Sequence, residues 1–558
     1  MGILQGSLKI TMFSHSQFLF IFVVTAFIAW FRRLGHRRSN LGNLPSPPGS
    51  TFFTGHLKYM FMDPVKAWDF HQKLMEGYGP VVRLDGKLRE HLLYTFDPKV
   101  MYHVLVKDQP NFERLTLAFT HVVLGDGLLS VTGDDHKRQK KYLSPVFSTA
   151  HMRDMLAIFY DVVDKLQTGL HEKVKNGSQE IDMLTWMTRT ALELIGQSGL
   201  GYSFDPMTSD ATEHTYSKTL KNLLPTFSRL PVLRFEILKW SQNFGTPSLR
   251  RLLVNLTPSK PLHDVRDMAD YMWALSGEIY DSKKKALAEG DEALKSQIGR
   301  GKDIISILMK GSLNTSEDRL DEKEIIAQMS TLTLAAMDTT SNALSRVLQL
   351  LSTHPEVQDK LREELLDARS VGGNLSYDTL VELPYLDAVC RETLRLYSPV
   401  PNLSRIANED TVIPLSQPVK GRDGKKITEL YIPKGTTILL SFHNCNRNPA
   451  LWGPDAFEWK PERWLSPLPK ELVDAHIPGI YSHLMTFGAG TRSCIGFKFS
   501  QLEMKAVLSM LVSSFKFAPT EDRIVWHLSG VSVPFVEGAK ERPSLPLLVD
   551  MVEQSVGN

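Results

Sequence analysis

The feature that most limits how this chain can fold is DEKEIIAQMSTLTLAAMDTTSNALSRVLQLLSTHP, a helix-periodic run that begins at Asp321 and is stopped by Pro355. Its acidic start suits a helix N-terminus, and at about thirty residues it is long enough to cross a whole domain. Near its middle AAMDTT, residues 335 to 340, places an acid and two threonines in a stretch otherwise built for burial. Polar groups there need hydrogen-bond partners. Ordinary helix chemistry offers one, with the Thr339 hydroxyl bonding back to the carbonyl four residues earlier.

A second helix is expected over LPYLDAVCRETLRLYSPVP, where Glu392 and Arg395 lie three apart and share a face. A plain surface ion pair would explain them, and such pairs are worth little. FEWKPERW, residues 457 to 464, adds Arg463 in a proline-bounded aromatic loop. GPVVRLDG and REHLLYTFD alternate as short strands, and most of residues 130 to 400 reads as amphipathic helix. The expected fold class is therefore mainly α with smaller β-sheets. No repeat or low-complexity linker divides residues 51–558, which are taken as one domain. Residues 281 to 319, rich in Lys, Glu, Gly and Ser, read as a solvated surface excursion. With 42% hydrophobic and 23% charged residues the body buries a large core. A net charge of +2 without a basic face or recognition motif excludes nucleic acid as a partner.

The N-terminus departs from this average. ITMFSHSQFLFIFVVTAFIAWF, residues 10 to 31, is 22 residues without a formal charge, enough for a helix across a bilayer core of roughly 30 Å. A single-pass anchor is expected in residues 1–31, against a cleaved signal peptide or a buried helix. Arg32, Arg33, Arg37 and Arg38 follow it, so the positive-inside rule leaves the body in the cytosol. Residues 32–50 form a basic, proline-rich hinge ending in LPSPPGS. Three scattered cysteines, Cys390, Cys445 and Cys494, make no disulfide framework and suit a reducing compartment.

In FGAGTRSCIGFKF, Gly488, Gly490 and Gly496 permit close backbone approach, and an apolar helix follows. Cys494 thus lies near a helix N-terminus with Arg492 beside it, which is expected to lower its pKa toward thiolate. A thiolate suits a metal or nucleophilic catalysis. Zinc would want several Cys or His at short spacing, and a cysteine hydrolase an identifiable histidine partner. A haem iron needs one thiolate and can leave its other axial position to dioxygen.

Phe487, Gly490, Arg492, Cys494 and Gly496 match the F-x-x-G-x-R-x-C-x-G pattern of cytochrome P450 monooxygenases, which the chain resembles over residues 45 to 545. AAMDTT is similar to that family's oxygen-activation helix, ETLR to its E-x-x-R helix and PERW to its P-E-R-F/W loop, in the same order. Anchor and hinge resemble those of endoplasmic-reticulum P450s, and GDDHKRQKKYLSPVFS is most like P450s of higher fungi. The resemblance implies haem b with Cys494 as axial ligand, and Arg492 and Arg405 on the haem propionates. His136 and Lys140 stand where the family has W-x-x-x-R, so a planar arginine fork is missing there. Glu392, Arg395 and Arg463 would form a structural triad, and Asp338 and Thr339 would relay protons to dioxygen. Ala336 replaces a common glycine, implying a tighter oxygen groove or a different helix bend.

The resemblance further implies a monooxygenase in the endoplasmic reticulum membrane, fed by NADPH-cytochrome P450 reductase, with cytochrome b5 as a second candidate donor. No strand, G-x-G-x-x-G and helix unit supplies a dinucleotide site of its own. A pocket from the helix around Ala335, residues 110 to 130 and PVPNLS would take a terpenoid, sterol, fatty acid or aromatic compound. A P450-like isomerase or dehydratase acting without reductase, and a haem carrier without turnover, are the alternatives. The first often lacks the acid/alcohol pair kept here.

Overall fold

Why one helix can organise so long a chain is visible in its ends and flanks. The computed structural model describes residues 40–552 except 62, 116, 231–232, 234–236, 242–243, 313–318, 371, 529 and 540–541. The helices that frame the centre are α1 (Gly133–Leu143), α2 (Thr149–Val174), α3 (Met183–Ile195), α4 (Thr215–Ser228), α5 (Lys260–Glu289), α6 (Glu322–Thr353), α7 (Pro355–Arg369), α8 (Pro384–Leu396) and α9 (Phe497–Ser514). The long apolar run is α6, 32 residues. It starts in a reciprocal capping box: the Asp321 carboxylate accepts from the Glu324 N–H, and Glu324 accepts from the Asp321 N–H. Pro355 opens α7 in a new direction, since a proline there cannot continue α6.

The helices bury their apolar faces on α6 and α9, with Leu344, Val347, Leu348, Leu502, Val507 and Leu511 among the fully buried side chains. A second core surrounds the main sheet, built from Val81–Asp85 (β1), His91–Thr95 (β2), Phe112–Arg114 (β3), Asn402–Ala407 (β4) and Thr437–Ser441 (β5). Their order is β1-β2-β5-β4-β3, antiparallel except where β2 pairs with β5. Both sequence-expected strands, in GPVVRLDG and REHLLYTFD, are β1 and β2. Smaller sheets lie apart from this one. Mainly helical architecture with small sheets is thus what forms.

The anchor in residues 10–31 lies outside the described residues, and no helix among the described residues is long and apolar enough to cross a membrane. The end of the hinge is laid on the body: Leu41 and Leu44 are buried, and the Pro45 carbonyl accepts the Arg83 N–H at 2.9 Å. The stretch read as a solvated excursion contains a buried ion pair, Lys283 Nζ to Asp303 Oδ2 at 3.1 Å, with Ser306 bonded to both. Each charge there is satisfied by the other and by the hydroxyl, which is what lets them be buried.

Candidate active site

The cysteine segment is a tight loop ahead of α9. Gly490 has φ +65°, and a Cβ on it would stand 2.1 Å from the Leu105 carbonyl oxygen, so only glycine fits. The Cys494 N–H donates to the Phe487 carbonyl at 2.8 Å, closing the loop, and Phe487 packs edge-on against Tyr481. Gly496 caps α9 and directs its own N–H to the Cys494 sulfur. The thiol is accessible although the surrounding protein, by burial, pushes its pKa up to about 11. The sequence expectation of a lowered pKa is corrected here: burial outweighs the Gly496 N–H and the Lys140 ammonium, the two groups that act against it, and Arg492 is not among them.

The middle of α6 packs beside α9, the helix that follows Cys494. Ala335 is exposed, and Ala336, Asp338 and Thr339 are partly so, in a helix that is otherwise mostly buried. The Thr339 hydroxyl donates to the Ala335 carbonyl at 2.8 Å, so the ordinary helix explanation holds for its proton while its oxygen keeps lone pairs free to accept. Asp338 is pushed up to about 6 by burial, against the Lys221 ammonium of α4 and the Asn342 amide, whose Nδ2 donates to its Oδ1 at 3.2 Å. Thr340 points elsewhere, donating to Ser500 Oγ on α9 at 3.4 Å.

Cations gather around Arg492 of the cysteine loop. Arg405 on β4 and Arg114 on β3 are directly paired across the sheet. Arg405 is pushed down to about 9 by burial and by the charges of Arg114 and Arg492, and Arg492 to about 10 by burial and Arg114. His136 on α1 is pushed down to about 3 by burial and by Arg492, Lys140 and Arg114, so it is neutral. Among the described residues none of these four has a carboxylate ion-pair partner. Arg492 Nη2 donates to the Val131 carbonyl at 2.8 Å, while its buried Nη1 has no partner. Such a cluster is stable only with an anion in it. Lys140, expected with them, turns instead to the cysteine loop, its Nζ donating to the Thr491 carbonyl at 2.6 Å. Arg114 is a member that sequence reasoning missed.

Behind the loop the triad assembles. Arg395 meets Glu392 as a two-pronged pair, Nε to Oε2 and Nη2 to Oε1 at 2.8 Å each, both side chains 0% exposed. Arg463 reaches Glu392 Oε1 at 3.3 Å and Asp455 Oδ1 at 2.8 Å. Trp464 Nε1 adds a bond to Glu392 Oε2 at 3.0 Å, and the remaining Arg395 protons go to the carbonyls of Asn446, Ala456 and Glu458. The surface-pair explanation of Glu392 and Arg395 fails: they are the buried pin between α8 and the PERW turn.

One sulfur and a carboxylate-seeking pocket suit haem. No group of three or more His, Cys, Asp or Glu among the described residues could cage a bare ion. A porphyrin brings four nitrogen ligands and two carboxylates of its own, needing from the protein one thiolate and some cations. The orphaned Arg492 Nη1 and the acid-free cluster fit those carboxylates.

A mainly helical body that holds an accessible loop thiol beside cations with no carboxylate partner among the described residues suits the haem-thiolate oxidoreductase class. The chain belongs to the cytochrome P450 family, whose model matches residues 45–531, and whose members bind haem iron through an axial cysteine. It is similar to cytochrome P450 monooxygenase 91 of Postia placenta, 49% identical over 541 residues, covering 96% of this chain and 99% of the relative. Ganoderic acid synthetase CYP5150L8 of Ganoderma lucidum is 47% identical over 534 residues, covering 94% and 96%. The monooxygenase eriI of Hericium erinaceus is 35% identical over 534 residues, covering 94% and 96%. The protein is accordingly a fungal-type P450 monooxygenase and an oxidoreductase.

Proposed function

We propose that Cys494 is the axial ligand and that the protein inserts one oxygen atom of O2 into an apolar small molecule, a terpenoid, sterol, fatty acid or aromatic compound. Electrons come from NADPH through a cytochrome P450 reductase at the endoplasmic reticulum membrane, to which residues 10–31 tie the chain. The observation that carries this reading is the accessible Cys494 thiol, held in a glycine-bent loop ahead of α9 beside the Arg114, Arg405 and Arg492 cluster. When bound, thiolate-ligated haem activates dioxygen once two electrons and two protons are supplied.

The chain's own residues do the rest. The Gly496 N–H holds the sulfur's lone pair, while Arg405, Arg114 and Arg492 supply the positive charge that two propionates neutralise. Neutral His136 offers one ring N–H as a donor rather than a charge. Asp338, near half-ionisation at pH 6, can take a proton from one side and give it up on the other. The Thr339 oxygen is free to accept that proton's hydrogen bond, while its own O–H is held by the Ala335 carbonyl. Phe119, in the stretch 110 to 130 from which the substrate pocket is proposed to be built, stacks on Phe227 of α4 with centroids 3.7 Å apart.

Full-length protein, reconstituted with a fungal P450 reductase in lipid vesicles, tests this. Apolar compounds, terpenoids and sterols among them, are screened by the haem absorption shift on binding and products are read by mass spectrometry under 18O2. One 18O atom per product, only with NADPH and reductase, is expected. Product without them identifies an isomerase or dehydratase, and binding without any product a carrier.

A further inference from the structure

Lys140 occupies the place from which the family's arginine meets a haem propionate, and although the Arg492 charge acts on it, its hydrogen bonds go to the cysteine loop. Its Nζ donates to the Thr491 carbonyl at 2.6 Å and lies 3.4 Å from Ser493 Oγ, so it is fixed to the turn that immediately precedes Cys494. Thr491 is itself tied down, its hydroxyl donating to Gln109 Oε1 at 2.6 Å. Lys140 and the Cys494 sulfur are within electrostatic reach of one another. Arg492, although nearer in sequence, gives one N–H to the Val131 carbonyl, leaves Nη1 without a partner and is not among the groups that act on the sulfur. The choice of lysine is what allows this: a compact point charge on a flexible stem can lie along the loop, where a planar fork would want a bidentate anion.

We propose that Lys140 is a positioning residue for the axial sulfur: anchored on Thr491 and Ser493, its ammonium is a fixed proximal charge that draws electron density onto Cys494 and raises the reduction potential of the iron bound there. The proposal rests on Cys494 being the axial ligand. One-electron reduction from the ferric to the ferrous state adds a negative charge to the iron–sulfur unit, and a cation beside the sulfur favours the state that carries it. Hydrogen bonds and charges at the ligand sulfur are established levers on such potentials. Lys140 is partly buried, so bulk salt screens it incompletely, whereas Lys141, the next residue on α1, is exposed.

The test is a spectroelectrochemical titration of the full-length, haem-loaded protein, with dithionite as the electron source through soluble mediators and no reductase present. Lys140→Gln keeps an N–H for the Thr491 carbonyl and removes the charge. Its potential is expected to shift negative, with a rise in the iron–sulfur stretching frequency by resonance Raman. Lys140→Arg, which keeps the charge but not the compact seat on the loop, is expected to recover the potential only in part, and Lys141→Gln to leave it where it was. An unchanged potential in Lys140→Gln, or an equal shift in Lys141→Gln, overturns the proposal. Failure of the underlying reading shows separately, as a parent protein whose reduced carbon monoxide complex lacks the thiolate-type band.

Discussion

Arg114 and Arg405 stand directly opposite one another across β3 and β4, two arginines paired in register with no carboxylate partner among the described residues. Like charges opposed across a sheet cost stability unless something between them is negative. Arg405→Leu should therefore stabilise the haem-free chain by about 1 kcal/mol in urea unfolding while lowering haem retained per chain. Pyridine haemochrome assay of the purified variant measures the second effect.

Asp338 sets a pH signature. Its carboxyl is neutral below about 6 and ionised above, so the proton it passes on is lost as pH rises through that value. Product formed per NADPH is expected to fall across this range in the parent. In Asp338→Asn the inflection disappears, turnover drops about a hundredfold and NADPH oxidation yields hydrogen peroxide instead. Lys221→Met, which removes the cation holding Asp338 down, should move the inflection to higher pH.

Breaking the buried pin should be far more costly than any surface substitution. Glu392→Ala leaves Arg395 with no acid in a fully buried setting and strips Arg463 of one of its two. A loss of about 3–5 kcal/mol is expected, read as insoluble or haem-free protein on expression. Glu392→Gln, which keeps the shape, should fall between.

Gly490→Ala tests the loop by geometry alone. The added Cβ meets the Leu105 carbonyl oxygen at 2.1 Å and the residue must hold φ +65°. The left-handed backbone costs roughly 1–2 kcal/mol before the clash is relieved. Haem incorporation should fall sharply, whereas Gly496→Ala, whose Cβ has nothing closer than Phe147 at 3.8 Å, should be tolerated better.

What the sequence made legible was local. Glu392 with Arg395, the glycines with Cys494, and Asp338 with Thr339 are each a few residues apart, so spacing alone groups them, and helix periodicity located α6 and α9. Arg114 was not legible, because it acquires its place only when β3 pairs with β4, a strand distant in sequence. The direction of Lys140 was hidden for the same reason, its partner Thr491 lying 351 residues away. Lys283 and Asp303 look like solvated charges in sequence and are buried because each finds the other. The Cys494 thiol was misread in sign, since a helix N-terminus is visible in sequence and the depth of burial is not.

The reduced carbon monoxide difference spectrum of haem-loaded protein tests the central claim most directly, with the parent and Cys494→Ala compared at matched haem content. The expected result is a thiolate-type band in the parent and its complete loss in Cys494→Ala. A parent without that band, or a Cys494→Ala variant that retains it, would contradict the assignment of Cys494 and with it the proposed function.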